Sequence, residues 1–202
     1  PTTETVRKYI AEGASAELPQ IKVARQMADR YRFFHWAVEF PEVFSKGGFD
    51  CVLGNPPWER IKLQQQEFFV TRDLIIAHAP NKAARDRLIR ELPVRNPSLL
   101  KEYESELYAS DASSRFLRLS GRFPLTGTGD INTYTVFTEL DRNLIKLKGR
   151  TGLVCPPGIA SDDTNKTFFN NLMDNKNLIS LIGFVNEKFI FQGVLHNFRF
   201  CL

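Results

Sequence analysis

The stretch FDCVLGNPPWER, residues 49–60, decides how the rest of the sequence is interpreted. It begins as a short apolar strand after a polar SKGG turn and then runs into an asparagine, two prolines and a tryptophan. Each proline fixes its own φ, and a residue that precedes a proline is kept out of the helical region. Asn55 and Pro56 are therefore both held extended, so the sequence predicts a stiff loop directly after a buried strand.

This stiff loop offers hydrogen-bond acceptors beside an aromatic ring. The side-chain oxygen of Asn55 and the carbonyl oxygen of Pro56 suit a primary amine, since each oxygen can accept one N–H hydrogen. Trp58 adds a flat ring on which a nucleobase can stack. We interpret Asn55, Pro56, Pro57 and Trp58 as a site for a base that carries an amino group. The alternative interpretation is a rigid turn that closes a strand and binds nothing.

Most of the chain has the apolar spacing that is typical of helices. Gly149 is expected to end the helix that begins near residue 131. Helices are predicted over residues 4–12, 20–36, 131–150 and 161–175, with a helical, basic and proline-interrupted region from Glu59 to about Leu119.

Short apolar runs between these helices predict strands. Strands that alternate with helices form a parallel sheet that is covered by helices. The last two predicted strands are too close for a helical crossover, so they are expected to pair antiparallel. Ligands of such sheets bind at the carboxyl ends of the strands, where Asn55 and Pro156 lie. The strands are predicted over residues 49–55, 151–157, 178–186 and 196–202.

The composition is that of a globular chain with 43% hydrophobic and 25% charged residues. A net charge of +4 permits a polyanion as partner. No apolar run reaches the roughly 18 residues of a membrane span, so we expect a soluble, cytoplasmic protein. Cys51, Cys155 and Cys201 lie in separate apolar runs without ligand spacing, which favours buried thiols and predicts no metal site.

The sequence GNPPW after an apolar strand resembles the Asn/Asp-Pro-Pro-aromatic motif of amino-group DNA methyltransferases. The order of further blocks is similar to that of adenine methyltransferases of the type IIG restriction-modification and BREX phage-exclusion kinds. These blocks cover most of the chain, and residues 60–125 match least. The blocks are FHWAVEFPEVF, GFDCVLGNPPWER, GDINTYTVFTE, GRTGLVCPPGIASDD and KFIFQGVLHNFRF.

The resemblance implies a fold, a reaction and site residues. The fold is α/β, a partial Rossmann-like methyltransferase sheet of parallel strands plus a C-terminal antiparallel hairpin, with a mainly helical insertion over residues 60–125. The reaction transfers a methyl group from S-adenosylmethionine to the exocyclic amine of an adenine flipped out of duplex DNA. Trp58 and a second ring, Phe191 with Phe189 in reserve, are expected to stack on that base. Gly129, Asp130, Asn132, Tyr134 and Pro156 correspond to residues around the pocket.

The chain departs from the family pattern at the cofactor site. It has no strand followed by a glycine-rich turn, and no acidic residue at the end of a second strand. We therefore expect residues 1–202 to be a fragment of one catalytic domain, inactive by itself, that binds S-adenosylmethionine poorly. The cofactor-binding half is expected before Pro1, and the target-recognition region after Leu202.

Two other functions fit parts of this pattern. The first is a nucleic-acid-binding module without turnover, in which the NPPW pocket is vestigial. The second is methyl transfer to a different amine, such as that of cytosine or one in RNA or protein. A set of arginines either contacts DNA phosphates or forms a solvated helix surface. These arginines are Arg85, Arg87, Arg90, Arg95, Arg115, Arg118 and Arg122.

Overall fold

The structure is a computed structural model, and it describes residues 3–12, 19–189 and 191–202. The chain forms two compact units, residues 1–48 and 49–202. The first unit is helical, and Arg25 Nη2 donates to the Tyr9 hydroxyl at 2.7 Å. Most of the linker predicted over 13–19 lies outside the described residues. The helices of this unit are α1 (Thr3–Glu12), α2 (Pro19–Tyr31), α3 (Trp36–Glu39) and α4 (Pro41–Phe44).

The helix predicted over residues 20–36 is present but shorter. It ends at Tyr31, and Arg32 follows with a φ of 46°. A residue in this left-handed region ends a helix because its main chain turns away from the helix axis.

The second unit contains both predicted kinds of strand pairing. Strands β1 (Phe49–Gly54) and β2 (Ile145–Leu153) are parallel, with Gly54 opposite Leu153. Strands β3 (Gly183–Val185) and β4 (Arg199–Cys201) are antiparallel. This mixed α/β arrangement confirms the predicted fold class and is consistent with a partial Rossmann-like methyltransferase fold.

The single helix predicted over residues 131–150 is wrong in its second half. Helix α9 (Thr133–Leu144) gives way directly to β2, since Ile145 is already extended with φ −84° and ψ 149°. The helical spacing of leucines continues to Leu147, but pairing with β1 decides the conformation of this segment. Leu147 is consequently fully exposed.

Four helices lie between β1 and α9. Asn81 and Asn96 cap two of them by accepting main-chain N–H groups, and Pro97 occupies the first turn after Asn96. Their core includes Phe69, Ile76 and Leu92, which are all fully buried. That residues 60–125 are an insertion stays a prediction. The four helices are α5 (Gln65–Val70), α6 (Leu74–Ala77), α7 (Lys82–Arg95) and α8 (Pro97–Leu119).

A second core lies beside the ends of β1 and β2. It is built by Tyr134, Cys155, Ile159, Phe168 and Cys201. Burial of large apolar side chains is the main stabilising contribution here. Two further helices, α10 (Gly158–Ser161) and α11 (Lys166–Asp174), follow β2 with a short 3-10 helix between them.

None of the helices within the described ranges is long and apolar enough to cross a membrane.

Candidate functional site

The NPPW loop, residues 55–58, begins where β1 ends. The main-chain N–H of Val154 donates to the Gly54 carbonyl at 3.0 Å, so the two strand ends lie side by side. The main chains of Cys155 and Cys201 then form an isolated antiparallel β-bridge, and both thiols are free. The structure thus brings Asn55, Pro156 and the last strand to one edge of the sheet, as the alternation of elements predicts.

Thr133, the first residue of α9, holds the NPPW loop in place. Its hydroxyl donates to the Pro57 carbonyl at 2.6 Å and accepts the Glu59 N–H at 2.9 Å. Its own N–H donates to the Glu59 carbonyl at 2.8 Å. Thr133 therefore holds the main chain both before and after Trp58. The sequence analysis missed Thr133, because nothing in the local pattern links it to the loop.

Two acceptors of the loop receive no hydrogen bond from the part of the chain that the structure describes. Asn55 is exposed, and Pro56 is buried. No donor among the described residues reaches the Asn55 side chain or the Pro56 carbonyl, whereas the next carbonyl, that of Pro57, is taken by Thr133. Polar main-chain groups of buried residues are normally paired. The unpaired oxygens are thus available to a donor from a ligand.

Trp58 is anchored by its indole. The Nε1–H group donates to the Val154 carbonyl at 3.3 Å, and the half-buried ring packs against the second core. One ring face is stacked on Phe198, with 5.7 Å between the centroids and an angle of 12° between the planes. The aromatic partner of Trp58 among the described residues is therefore Phe198. The base-stacking roles of Trp58 and Phe191 stay predictions.

The residues predicted around the pocket lead into α9. Gly129 has a φ of 58°, and its carbonyl accepts Arg118 Nη2 at 2.6 Å. The Asp130 carbonyl accepts the Asn132 side-chain amide at 3.4 Å. Asn132 also pairs with Arg60, the second residue after Trp58. Asp130 and Asn132 thus adjoin the strand-like pairing that positions the NPPW loop.

Two further predicted residues belong to the second core. Tyr134 is 4% exposed, and its hydroxyl accepts the Asn165 amide at 3.1 Å. Burial raises the pKa of Tyr134, although the hydrogen bond from Asn165 acts in the opposite direction. Pro156 is half-buried, and its carbonyl accepts the Ile159 N–H at 3.1 Å. Tyr134 therefore lies in the wall against which Trp58 packs.

Asn186 organises the β3–β4 connection, which is described for residues 186–189 and 191–198. Its side chain is completely buried. The amide nitrogen donates to the Phe191 and Val194 carbonyls at 3.1 and 3.0 Å, and the amide oxygen accepts the Phe191 N–H at 3.1 Å. This single side chain therefore fixes the main chain that carries the aromatic residues of the connection.

The rings of this connection point to different partners. Phe191 contacts Phe200 edge to face, with 5.2 Å between the centroids. Phe189 lies 6.3 Å from the His196 ring and has a φ of 49°. The structure therefore places Phe198, and neither of the two rings predicted from the sequence, against Trp58.

The seven arginines named in the sequence analysis divide into three groups. Arg85 is buried, and no described residue pairs with its Nε atom. Arg87, Arg95 and Arg118 bond to Glu91, Asp73 and the Gly129 carbonyl. The others have exposed side chains for which no hydrogen bond or ion pair is found within the described ranges, and these are Arg90, Arg115 and Arg122.

Asp141 is a buried carboxylate on α9, close to Cys155. It is 8% exposed and makes no hydrogen bond with a described residue. Burial raises the pKa of Asp141 to about 6, well above the usual range of a carboxyl group, and burial also raises the pKa of Cys155. Between pH 4 and 6 the folded chain therefore binds more protons than the unfolded chain, so its stability falls as the pH rises.

Replacing Asp141 by asparagine is expected to remove this pH dependence. The Asp141→Asn variant should unfold with a free energy about 1–3 kcal/mol larger than that of the wild type at pH 8, and with a similar one at pH 4. Urea denaturation at both pH values measures the difference. Asp111→Asn, at an exposed position, is the control and should change neither value. Equal stabilities of wild type and Asp141→Asn at pH 8 would contradict the assignment.

A cavity of about 670 Å³ lies along β2, and neither Asn55 nor Trp58 lines it. Four cationic side chains line this cavity, and no carboxylate does. One of these cations, Lys146, is ion-paired with Asp50. The cationic residues are Arg142, Lys146, Arg150 and Lys176. The prediction that the cofactor is held by residues preceding Pro1 stays a prediction.

The described part of the chain holds no group of three or more His, Cys, Asp or Glu side chains that could bind a metal ion.

Comparison with known families supports a methyltransferase. Residues 4–87 match the family described as Eco57I restriction-modification methylase. The match covers less than half of the chain and includes the whole NPPW loop. Comparisons with curated proteins and with solved structures find no match. The findings therefore support a methyltransferase of the restriction-modification kind, a class that in general uses S-adenosylmethionine.

Proposed function

We propose that this chain carries the base-binding part of a DNA methyltransferase that modifies the exocyclic amine of adenine. The methyl donor is S-adenosylmethionine, and the substrate is an adenine flipped out of duplex DNA. The enzyme serves a restriction-modification or other phage-defence system. The family match over residues 4–87 supports the class of enzyme, and the geometry of the NPPW loop supports the substrate.

The pair of unpaired acceptors is the observation that carries this proposal. Asn55 Oδ1 and the Pro56 carbonyl adjoin along the chain, and neither has a donor among the described residues. An exocyclic amine has two N–H hydrogens, one for each acceptor. The neighbouring Pro57 carbonyl already accepts the Thr133 hydroxyl, so the loop offers the two acceptors of Asn55 and Pro56 to the two amine hydrogens.

These acceptors would make the adenine amine a better nucleophile. In free adenine the lone pair of this nitrogen is delocalised into the ring. Acceptors that hold both hydrogens favour the pyramidal nitrogen, whose lone pair can attack the methyl group. The contribution is positional and electrostatic, because the acceptors are fixed before the reaction begins. No covalent intermediate with the protein is required.

Duplex DNA and the rest of the polypeptide are the proposed partners. Flipping a base costs a few kcal/mol, which stacking on Trp58 offsets in part. Arg90, Arg115 and Arg122 are free to contact phosphates, while Arg87, Arg95 and Arg118 are engaged within the chain. Cofactor binding and target recognition are assigned to the parts of the protein before Pro1 and after Leu202.

Methyl transfer by the full-length protein tests this proposal directly. Duplex DNA is incubated with radiolabelled S-adenosylmethionine and the protein, and the product is digested to nucleosides. We expect the label on N6-methyladenine. Label on a cytosine product would refute the adenine assignment. Binding to DNA without any transfer would favour the non-catalytic nucleic-acid-binding module instead.

A further inference from the structure

Phe198 covers one ring face of Trp58, and the same ring also packs against the second core. The two rings are nearly parallel, with an angle of 12°, and their centroids are 5.7 Å apart. A base inserted between them would require about 7 Å, which is two stacking distances of about 3.4 Å. The pair therefore has no room for a base in this conformation.

The two rings are held very differently. Trp58 is fixed by its hydrogen bond to the Val154 carbonyl and by packing against the second core. Phe198 is 41% exposed. Its main chain is anchored, since its N–H donates to the Leu195 carbonyl and its carbonyl accepts the Asn186 N–H, both at 3.0 Å. Since the main chain is anchored, a displacement of Phe198 from Trp58 would involve its side chain.

We propose that Phe198 acts as an internal substitute for the target base. It stacks on Trp58 while no base is present, and a flipped base binds by displacing it. The inference rests on the proposed function, because that function gives Trp58 a base to stack on. Phe198 is then a positioning residue that affects how much more tightly the site binds DNA with an unpaired base than fully paired DNA.

Displacement has a measurable consequence for affinity. An aromatic pair contributes about 0.5–1.5 kcal/mol beyond the area that it buries. A base that displaces Phe198 must first break this contact, so its binding is weaker by the same amount. Removing the Phe198 ring should therefore strengthen binding of an unpaired base by roughly 2- to 12-fold. If the Phe198 ring only supported the fold, or itself stacked on the base, its removal would weaken binding of the unpaired base.

The experiment uses duplex DNA with one bulged 2-aminopurine, which needs no recognition sequence, and the same duplex fully paired. Affinities of the full-length protein for both are measured by fluorescence titration. Phe198→Ala is expected to raise the preference for the bulged duplex roughly 2- to 12-fold. Phe198→Tyr, which keeps the ring, should leave it unchanged, as should Phe116→Ala at an exposed position on α8.

A Trp58→Ala background distinguishes displacement from a general loss of folding. There, Phe198→Ala should no longer alter the preference, because the stacked pair is already broken. An unchanged or lower preference in the Phe198→Ala single variant overturns the inference. This readout involves no methyl transfer, so an active enzyme without the affinity change refutes only the role of Phe198. An inactive wild type that still shows the effect of Phe198→Ala refutes the proposed methyl transfer but not the stacking of a base on Trp58.

Discussion

Replacing Asn55 by alanine is expected to lower the rate constant of methyl transfer by roughly 100- to 1,000-fold. The side chain makes no hydrogen bond within the described residues, so its loss should leave the fold intact. The variant lacks one of the two acceptors that hold the amine as the methyl group arrives. Because this interaction matters most in the transition state, kcat should fall while KM for DNA changes little. Steady-state kinetics with the full-length protein measure both constants.

Two variants control this experiment. Asn55→Asp keeps a side-chain acceptor and should retain more activity than Asn55→Ala. Asn170→Ala, at an exposed position on α11, should behave like the wild type. Wild-type kcat in Asn55→Ala would exclude Asn55 from catalysis.

Replacing Asn186 by alanine should produce the largest loss of stability. The side chain is completely buried and makes three hydrogen bonds to main-chain atoms of the β3–β4 connection. Its removal takes a partner from the Phe191 N–H and from the Val194 carbonyl, while the Phe191 carbonyl keeps the Val194 N–H as a donor at 3.2 Å. Losing a completely buried side chain together with its three hydrogen bonds is costly, so we expect the free energy of unfolding to fall by about 2–4 kcal/mol. Urea denaturation measures this change.

The conservative variant Asn186→Asp distinguishes the accepting role of the amide oxygen from the donating role of the amide nitrogen. Its carboxylate can still accept the Phe191 N–H but cannot donate to the two carbonyls. Hydrogen exchange of the Phe191 amide should then remain slower than in Asn186→Ala. A stability of Asn186→Ala within 0.5 kcal/mol of the wild type, about the usual range for surface substitutions, would argue against this structural role.

Local sequence signals predicted the elements whose conformation is set locally. The prolines of the NPPW loop fix their own dihedral angles, which predicted the loop that follows β1. The short apolar runs predicted the parallel and antiparallel strand pairs. The end of α9 was placed wrongly, because the spacing of its leucines continues into a segment that pairs with β1 instead.

The residues that the sequence analysis missed act over long distances in the chain. Thr133 bonds to Pro57, which is 76 positions away. Phe198 meets Trp58 only because β4 returns to the ends of β1 and β2. Asn186 is one of many asparagines, and its burial appears only once the β3–β4 connection is folded. No periodicity or motif carries such information, because it depends on tertiary contacts.

The hydrogen bond between Thr133 and the NPPW loop also determines when the loop can fold during synthesis. Pro57 is made 76 residues before the threonine that secures it. At a synthesis rate of about 5–20 residues per second, Thr133 is added roughly 4–15 s after Pro57. The nascent chain therefore cannot acquire a finished acceptor pair until the start of α9 has emerged, and the four helices in between have that interval in which to fold first.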